Sequence, residues 1–443
     1  MNDISRRRLL GTAGAVGAGG LVAGAAGGAG VRAATEAAPP TALTTVGSTE
    51  VAFHSTEKTA GSGKSAGSGK TAGSSGSAGS AHSAPQSGIT TPAQSTGYLI
   101  AFDLAAGAGR TQAAALLRRW SASTQRMMAG EPVSSGDTGI ALDAGPSSLT
   151  VTFGFGRSFF SRTGLTAQRP TQLDPLPDFA SDQLDAGRSN GDLWVQIGAN
   201  DPLVAFHALR ALQNEAGTAA RVRWQMNGFN RAPGATAKPM TVRNLMGQVD
   251  GTGNPKPSDS DFDRRIFVPA GGGTGAEAQP EWMAGGSYAV VRRIRMLLDD
   301  WEKLPLKKQE QVIGRRKKDG APLTGGTETT AMDLDKVGPD GKFVIPDNAH
   351  ARISAPEQNG GAALLRRTFS YHDGIGRDGT PDAGLLFVCW QADPDHGFVP
   401  VQRKLDRGDA LSTFIRHEAS GLFAVPAAAG PGEYVGQRLV EGH

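Results

Sequence analysis

The sequence predicts an α+β fold made of two βαββαβ halves in tandem. Three observations carry this. Between residues 98 and 228, runs with strand and helix periodicity follow the order β-α-β-β-α-β. A less regular version of the same order returns between 288 and 425. Glycine (62 of 443 residues) and proline (26) punctuate both, with glycine at about twice the usual ~7%.

The first half is read as follows. Tyr98–Leu104 is an apolar run of strand type, and Arg110–Met128 carries Leu116, Leu117 and Trp120 at helical spacing. Ser148–Phe153 alternates, with Leu149, Val151 and Phe153 on one face, and Leu193–Ile197 is the next strand. Residues 202–215 form a helix with Ala205, Leu209 and Leu212 on one face and His207, Arg210 and Asn214 opposite; Arg221–Met226 closes the unit. This is the ferredoxin-like order. In the second half, Tyr288–Met296, Leu364–Ser370, Leu385–Trp390 and Gly421–Val425 are strands, while Lys307–Ile313 and Asp409–His417 are helices. Two long irregular segments, 229–286 and 315–363, interrupt it, and loops of that length inside a domain are commonly functional.

The N-terminal region does not belong to this pattern. Residues 1–33 open with Ser5-Arg6-Arg7-Arg8-Leu9-Leu10, continue through a mildly apolar Gly/Ala stretch and end in small residues, a secretory signal of the twin-arginine type. Its nine glycines make it a poor membrane span, so the expectation is export to the periplasm, cell envelope or medium, with no stable span after signal removal. The twin-arginine route carries folded proteins, which hints at a cofactor. Residues 34–97 hold a Gly/Ser/Lys insert, 56–85, with lysines at 58, 64 and 70; such a stretch has too little apolar surface to offset its ordering entropy. The folded chain divides into 98–228 and 229–443.

Charge and cysteine exclude several classes. The signal carries the whole formal +3 of the chain, so the remainder is neutral and no nucleic-acid partner is expected. One cysteine, Cys389, rules out an intramolecular disulfide and a cysteine-built zinc or iron–sulfur site within one chain. Of eight histidines, His82 lies in the insert and His443 at the terminus, while His207 and His417 fall on predicted helices, with a solvated or capping role. His350 sits inside a long irregular segment and is a candidate metal ligand. The other long segment carries Gly247-Gln-Val-Asp250-Gly251-Thr252-Gly253-Asn254-Pro255, which on residue type alone is first a turn.

Taken together, these segments resemble the dye-decolorizing (DyP-type) haem peroxidases. Gly247-Gln-Val-Asp250-Gly251 matches that family's G-x-x-D-G motif. Asp347-Asn-Ala-His350-Ala-Arg352 is similar to its proximal-histidine segment, Leu364-Leu-Arg366-Arg367-Thr-Phe-Ser-Tyr371 to its distal-arginine segment, and Asp382-Ala-Gly-Leu-Leu-Phe387 to the strand that follows. The resemblance runs in order from about residue 88 to 426. It implies one haem b per chain in the C-terminal half, hydrogen peroxide and organic reductants as substrates, and a place near exported deferrochelatase/peroxidases. A homo-oligomer is compatible with it.

The resemblance also assigns roles. His350 is the proximal iron ligand. Its second ring N–H needs an acceptor, which the family pattern places at Asp382, to stabilise oxidised iron. Asp250 is the distal acid–base group, and Arg366 supplies fixed positive charge to the departing peroxide oxygen. Asn254 orients Asp250 or a distal water, and Gly251, Thr252 and Gly253 bring backbone close to the macrocycle. Strand alternation means that only one of Arg366 and Arg367 faces the haem. An Asp rather than a His as distal base predicts an acidic rate optimum, since ordinary Asp titrates about 2.6 units below His. Electrons from bulky dyes would travel through surface aromatics; Trp390, Tyr371 and Tyr288 are candidates, but each reads first as a packing residue.

The sequence departs from the family pattern in two places. Ala355-Pro356-Glu357 stands where Asn-Pro-Arg is common, which leaves Arg352 as the substitute partner for a haem propionate. The family's early F-x-G-x-H-Q-x-G-I segment is split into Phe53-His54-Ser55 and Gln86-Ser-Gly-Ile89, with the insert between them. Two other functions share these residues: iron release from haem, and non-catalytic binding on the same scaffold.

Overall fold

The computed structural model describes residues 51–53, 84–133, 137–236, 240–272 and 278–442. The signal 1–33, nearly all of the insert 56–85, and His54, His82 and His443 lie outside them. Among the described residues the fold is α+β, built on one antiparallel sheet. Its strands are β1 (Thr96–Leu104), β2 (Thr150–Gly156), β3 (Leu193–Ala199), β4 (Ala220–Phe229), β5 (Ser287–Met296), β6 (Leu365–Arg366), β7 (Phe369–Ile375), β8 (Pro381–Gln391) and β9 (Ile415–Val425).

The sheet closes on itself. Its order is β5-β9-β2-β3-β1-β4-β7-β8, β8 returns to β5, and the two-residue β6 adds to β8. The pairing is uneven around this ring. β5 pairs with β9 from Ser287–Val425 to Met296–Ile415, whereas β4 meets β7 only at Phe229–Ser370 and β2 meets β9 only at Phe155–Ala424 and Gly156–Phe423. Two four-stranded sheets, β2-β3-β1-β4 and β9-β5-β8-β7, therefore meet at two thin seams.

Alternation along the strands decides what each face covers. Ile100 and Phe102 of β1 point to the helices Arg110–Met128 and Pro202–Ala216, joining Leu116, Leu117, Trp120, Leu209 and Leu212 in one core. Leu99 and Ala101 point inward and meet Trp194, Val291, Leu386, Val388, Trp390 and Phe423. Burying about ten large apolar side chains on the inner face, at roughly 1.5–3 kcal/mol each, is what closes the ring. At the β4–β7 seam the Phe369 ring fills space left by two glycines. A methyl at Gly97 would stand 2.4 Å from Phe369 Cζ, and one at Gly228 2.5 Å from Phe369 Cβ.

The predicted strands and the helix at residues 307–313 recur with shifts of a few residues at their ends, save two elements. The run Leu364–Ser370 is broken into β6 and β7. The expected helix Asp409–His417 is absent: the helix lies earlier, at Phe398–Gly408, Ala410–Phe414 is a 3-10 turn, and β9 already starts at Ile415. Asp409 caps that turn, its Oδ1 accepting the Leu411 N–H at 2.9 Å. Phe53 and Gln86, the residues flanking the insert, both dock in the N-terminal core. Phe53 is buried, and Gln86 exchanges hydrogen bonds with the Phe153 backbone at 2.9 and 3.0 Å.

Candidate functional site

The site is built on the outer face of the second sheet, where Met296 and Leu385 pack with Met246, Trp301, Ile313 and Leu411 beneath the long loops. The Gly247 segment turns back on itself. Arg243 bridges Val249, the Asp250 N–H donates to the Val242 carbonyl at 2.9 Å, and Gly247 takes φ +76°, a left-handed value natural to glycine. Asp250 is thereby presented with one carboxylate oxygen 3.3 Å from Asn244 Nδ2 and the other 3.4 Å from Arg366 Nη1.

Arg366 owes its position to β6, where it lies opposite Cys389. Its neighbour Arg367 is directed elsewhere, donating to Pro92 O and Gln94 Oε1. Burial pushes Arg367 down to about 10. Asn254 does something other than expected. Its Oδ1 accepts from Arg366 N at 3.2 Å and Nε at 3.1 Å, and its Nδ2 donates to Arg366 O at 2.8 Å. Asn254 therefore locks Arg366, and the expectation that it orients Asp250 is corrected. Asp250, Gly251, Asn254 and Arg366 line a cavity of about 300 Å³ with Thr241 and Phe262. Thr252 is turned away to Glu328, its Oγ1 donating at 2.8 Å, while a methyl at Gly253 would meet nothing within 4 Å.

His350 opens the short helix His350–Ile353. Its Nδ1 lies 2.7 Å from Asp409 Oδ2, and the Asp409 side chain is 1% exposed. The Ala410 N–H donates to Asn348 O at 2.9 Å, which ties the two segments together. Burial works against an imidazolium here, but the Asp409 carboxylate outweighs it and holds His350 above its ordinary value. The charges of Arg366 and Asp250 also bear on it. Among the described residues Nε2 has no hydrogen-bond partner.

Asp382 is not the partner of His350. It lies 2.7 Å from Arg293 Nη2, one of three carboxylates, with Asp373 and Glu418, around a guanidinium that is 1% exposed and stacked 4.0 Å over Tyr371. Asp409 directly follows the glycine that ends the helix Phe398–Gly408 and serves at once as a turn cap and as the histidine's partner. Arg352 is also committed elsewhere. It bonds the carbonyls of Leu334 and Ile345 and stacks 4.4 Å over Phe343. Trp390, Tyr371 and Tyr288 are at most 1% exposed, so none is a surface aromatic.

The other histidines also differ from expectation. His207 is buried against Asp137, with Nε2 2.9 Å from Oδ1. His417 lies on β9, 5% exposed, and burial, reinforced by the Arg292 charge, lowers it to about 3. Between about pH 6.5 and about 3 the unfolded chain then binds a proton at this position that the folded chain refuses. Stability must fall as the pH drops through that window. The melting temperature, followed from pH 7 to 4, is expected to fall less steeply in His417→Gln than in the unaltered protein.

These pairs sit in a chain that belongs to the Dyp-type peroxidase family. The family's N-terminal profile matches residues 86–230 and its C-terminal profile 241–430. The chain is an enzyme with haem-dependent peroxidase activity of the DyP type. It is similar to the dye-decolorizing peroxidase of Thermobifida fusca, 46% identical over 368 residues, covering 81% of this chain and 84% of the relative. Among solved structures, the DyP-type peroxidase of Streptomyces coelicolor is 67% identical with a TM-score of 0.81, covering 91% of this chain and 100% of that one. Ferric DtpA of Streptomyces lividans is 68% identical, with the same TM-score and coverage. The Escherichia coli (strain K12) deferrochelatase is more distant, 35% identical over 373 residues, covering 80% of this chain and 85% of the relative.

Proposed function

We propose that the chain reduces hydrogen peroxide and oxidises dyes, phenols or other organic reductants through one haem b, held by His350 in the second of two ferredoxin-like halves. The strand orders support the two halves: β4-β1-β3-β2 and β9-β5-β8-β7 repeat the same 4-1-3-2 arrangement. The observation that carries the haem reading is an imidazole with Nδ1 fixed on a buried carboxylate and Nε2 without a partner among the described residues, within electrostatic reach of Asp250 and Arg366. Such a donor set fits haem: one neutral nitrogen from the protein, with the macrocycle providing the rest. Cys389 does not compete as a ligand, because burial drives its thiol well up and keeps it protonated.

When bound, haem supplies an iron that exchanges electrons with peroxide and reductant. The protein's part is as follows. Asp409 keeps the proton on His350 Nδ1, so that the Nε2 lone pair is available. Asp250 can take a proton from one peroxide oxygen and return it to the other. Arg366 holds permanent positive charge beside it to stabilise the departing oxygen. Asn254 clamps the Nε edge of the guanidinium and leaves Nη1 toward Asp250. The twin-arginine signal supports export of the folded, loaded enzyme.

The test uses the haem-loaded protein with a dye, with and without hydrogen peroxide, and a ferrous-iron chelator in a parallel anaerobic sample. Dye turnover that requires peroxide, without anaerobic iron release, is expected. Iron release without turnover would overturn the proposal in favour of the deferrochelatase function.

A further inference from the structure

Among the described residues, one cation beside this site has no carboxylate in direct contact. Arg315 follows the helix Leu306–Ile313 and its capping residue Gly314. A methyl at Gly314 would stand 3.2 Å from the Ala349 methyl and 3.6 Å from that of Ala351. The backbone leading into Arg315 therefore runs against the residues on either side of His350. Burial lowers Arg315, the Glu328 charge works against this, and the charge of Arg366 adds to the lowering.

The contacts of Arg315 leave part of its guanidinium unused. Nη1 donates to the carbonyls of Gly320 at 2.9 Å and Glu328 at 3.0 Å. Among the described residues, Nε and Nη2 have no hydrogen-bond partner, and no carboxylate lies within 4.0 Å. The nearby Glu328 carboxylate is already engaged, its Oε1 accepting from Thr241 at 2.5 Å and Thr252 at 2.8 Å. Arg366 has Asp250 and Arg293 has three acids in direct contact, whereas among the described residues Arg315 donates to neutral carbonyls and feels the Glu328 charge without a direct bond to it. A partly buried guanidinium in that state is completed by an anion, and a planar fork of N–H groups matches a carboxylate. Arg352, the alternative suggested by sequence, is spent on Leu334 and Ile345.

We propose that Arg315 anchors a propionate carboxylate of the haem, beside the segment that carries His350. The assignment rests on the haem reading above. Its test measures haem retention and spectrum rather than turnover. Unaltered protein, Arg315→Gln and Arg315→Lys are each loaded with haem or with haem whose propionates are methyl esters. Loss to excess apomyoglobin is then timed.

Arg315→Gln is expected to lose haem about tenfold faster, equal to about 1.4 kcal/mol, with its visible spectrum unchanged. Arg315→Lys should fall between. With the ester, unaltered protein and Arg315→Gln should lose the cofactor at the same rate. Equal retention of haem by Arg315→Gln, or a tenfold difference that persists with the ester, would overturn the assignment. Should Arg315→Gln fail to fold, an ester retained by the unaltered protein as well as haem overturns it equally. Unaltered protein that takes up no haem with imidazole ligation would instead sink the haem reading itself.

Discussion

Asp250→Asn is expected to lower kcat/KM for hydrogen peroxide by about 10²–10⁴-fold, the usual contribution of a positioned acid–base group, while haem content and absorption spectrum stay unchanged. The amide keeps the size and hydrogen-bonding reach of the side chain near Asn244 and Arg366 but cannot accept and return a proton. The effect should fall on the reaction with peroxide and spare the oxidation of reductant that follows. Stopped-flow mixing with peroxide separates the two. The acid-side optimum expected of a distal carboxylate should also disappear in the variant. An Asp250→Asn enzyme with an unaltered peroxide rate and pH profile would remove Asp250 from the mechanism.

Asp409→Asn and Asp382→Asn are expected to behave differently, although the family pattern points to Asp382 as the histidine's partner. Asp409 holds Nδ1 of His350 at 2.7 Å from an almost fully buried position. Replacing its charge with an amide weakens the imidazole as an electron donor. The reduction potential of the bound iron should rise, and activity or cofactor affinity should drop by about 10–100-fold. Asp382→Asn should leave the potential where it is, because Asp382 serves Arg293. Its cost is stability, about 1 kcal/mol, since Asp373 and Glu418 still face the guanidinium. Potentiometric titration of both variants decides between them.

These assignments also mark what the sequence can and cannot disclose. The strands of the first half were legible because one face is covered by helices and the other by the opposing sheet. Leu149, Val151 and Phe153 thus had to alternate, and turns had to separate the runs. Asp250 and Arg366 were legible as motifs, since a tight turn and a two-residue strand fix their side chains locally. Asp409 was not. It lies 59 positions from His350, and the contact exists only because the 3-10 turn after Phe398–Gly408 lands on the His350 helix. The misplaced helix at 409–417 has a similar cause. Ile415–Val425 is held as strand by ten pairings with β5, interrupted by one register shift at Arg293/Ile294, and this cross-strand ladder overrides local preference. His417 is buried in that ladder for the same reason.

The most direct test of the central claim, that His350 is the single protein ligand of a catalytic haem, is the absorption spectrum of the purified haem-loaded protein and of His350→Ala, before and after hydrogen peroxide. The account predicts a Soret band in the unaltered protein that shifts on adding peroxide. In His350→Ala it predicts an altered band, or none, with no such shift. A His350→Ala protein with the same iron ligation and the same response to peroxide would contradict it.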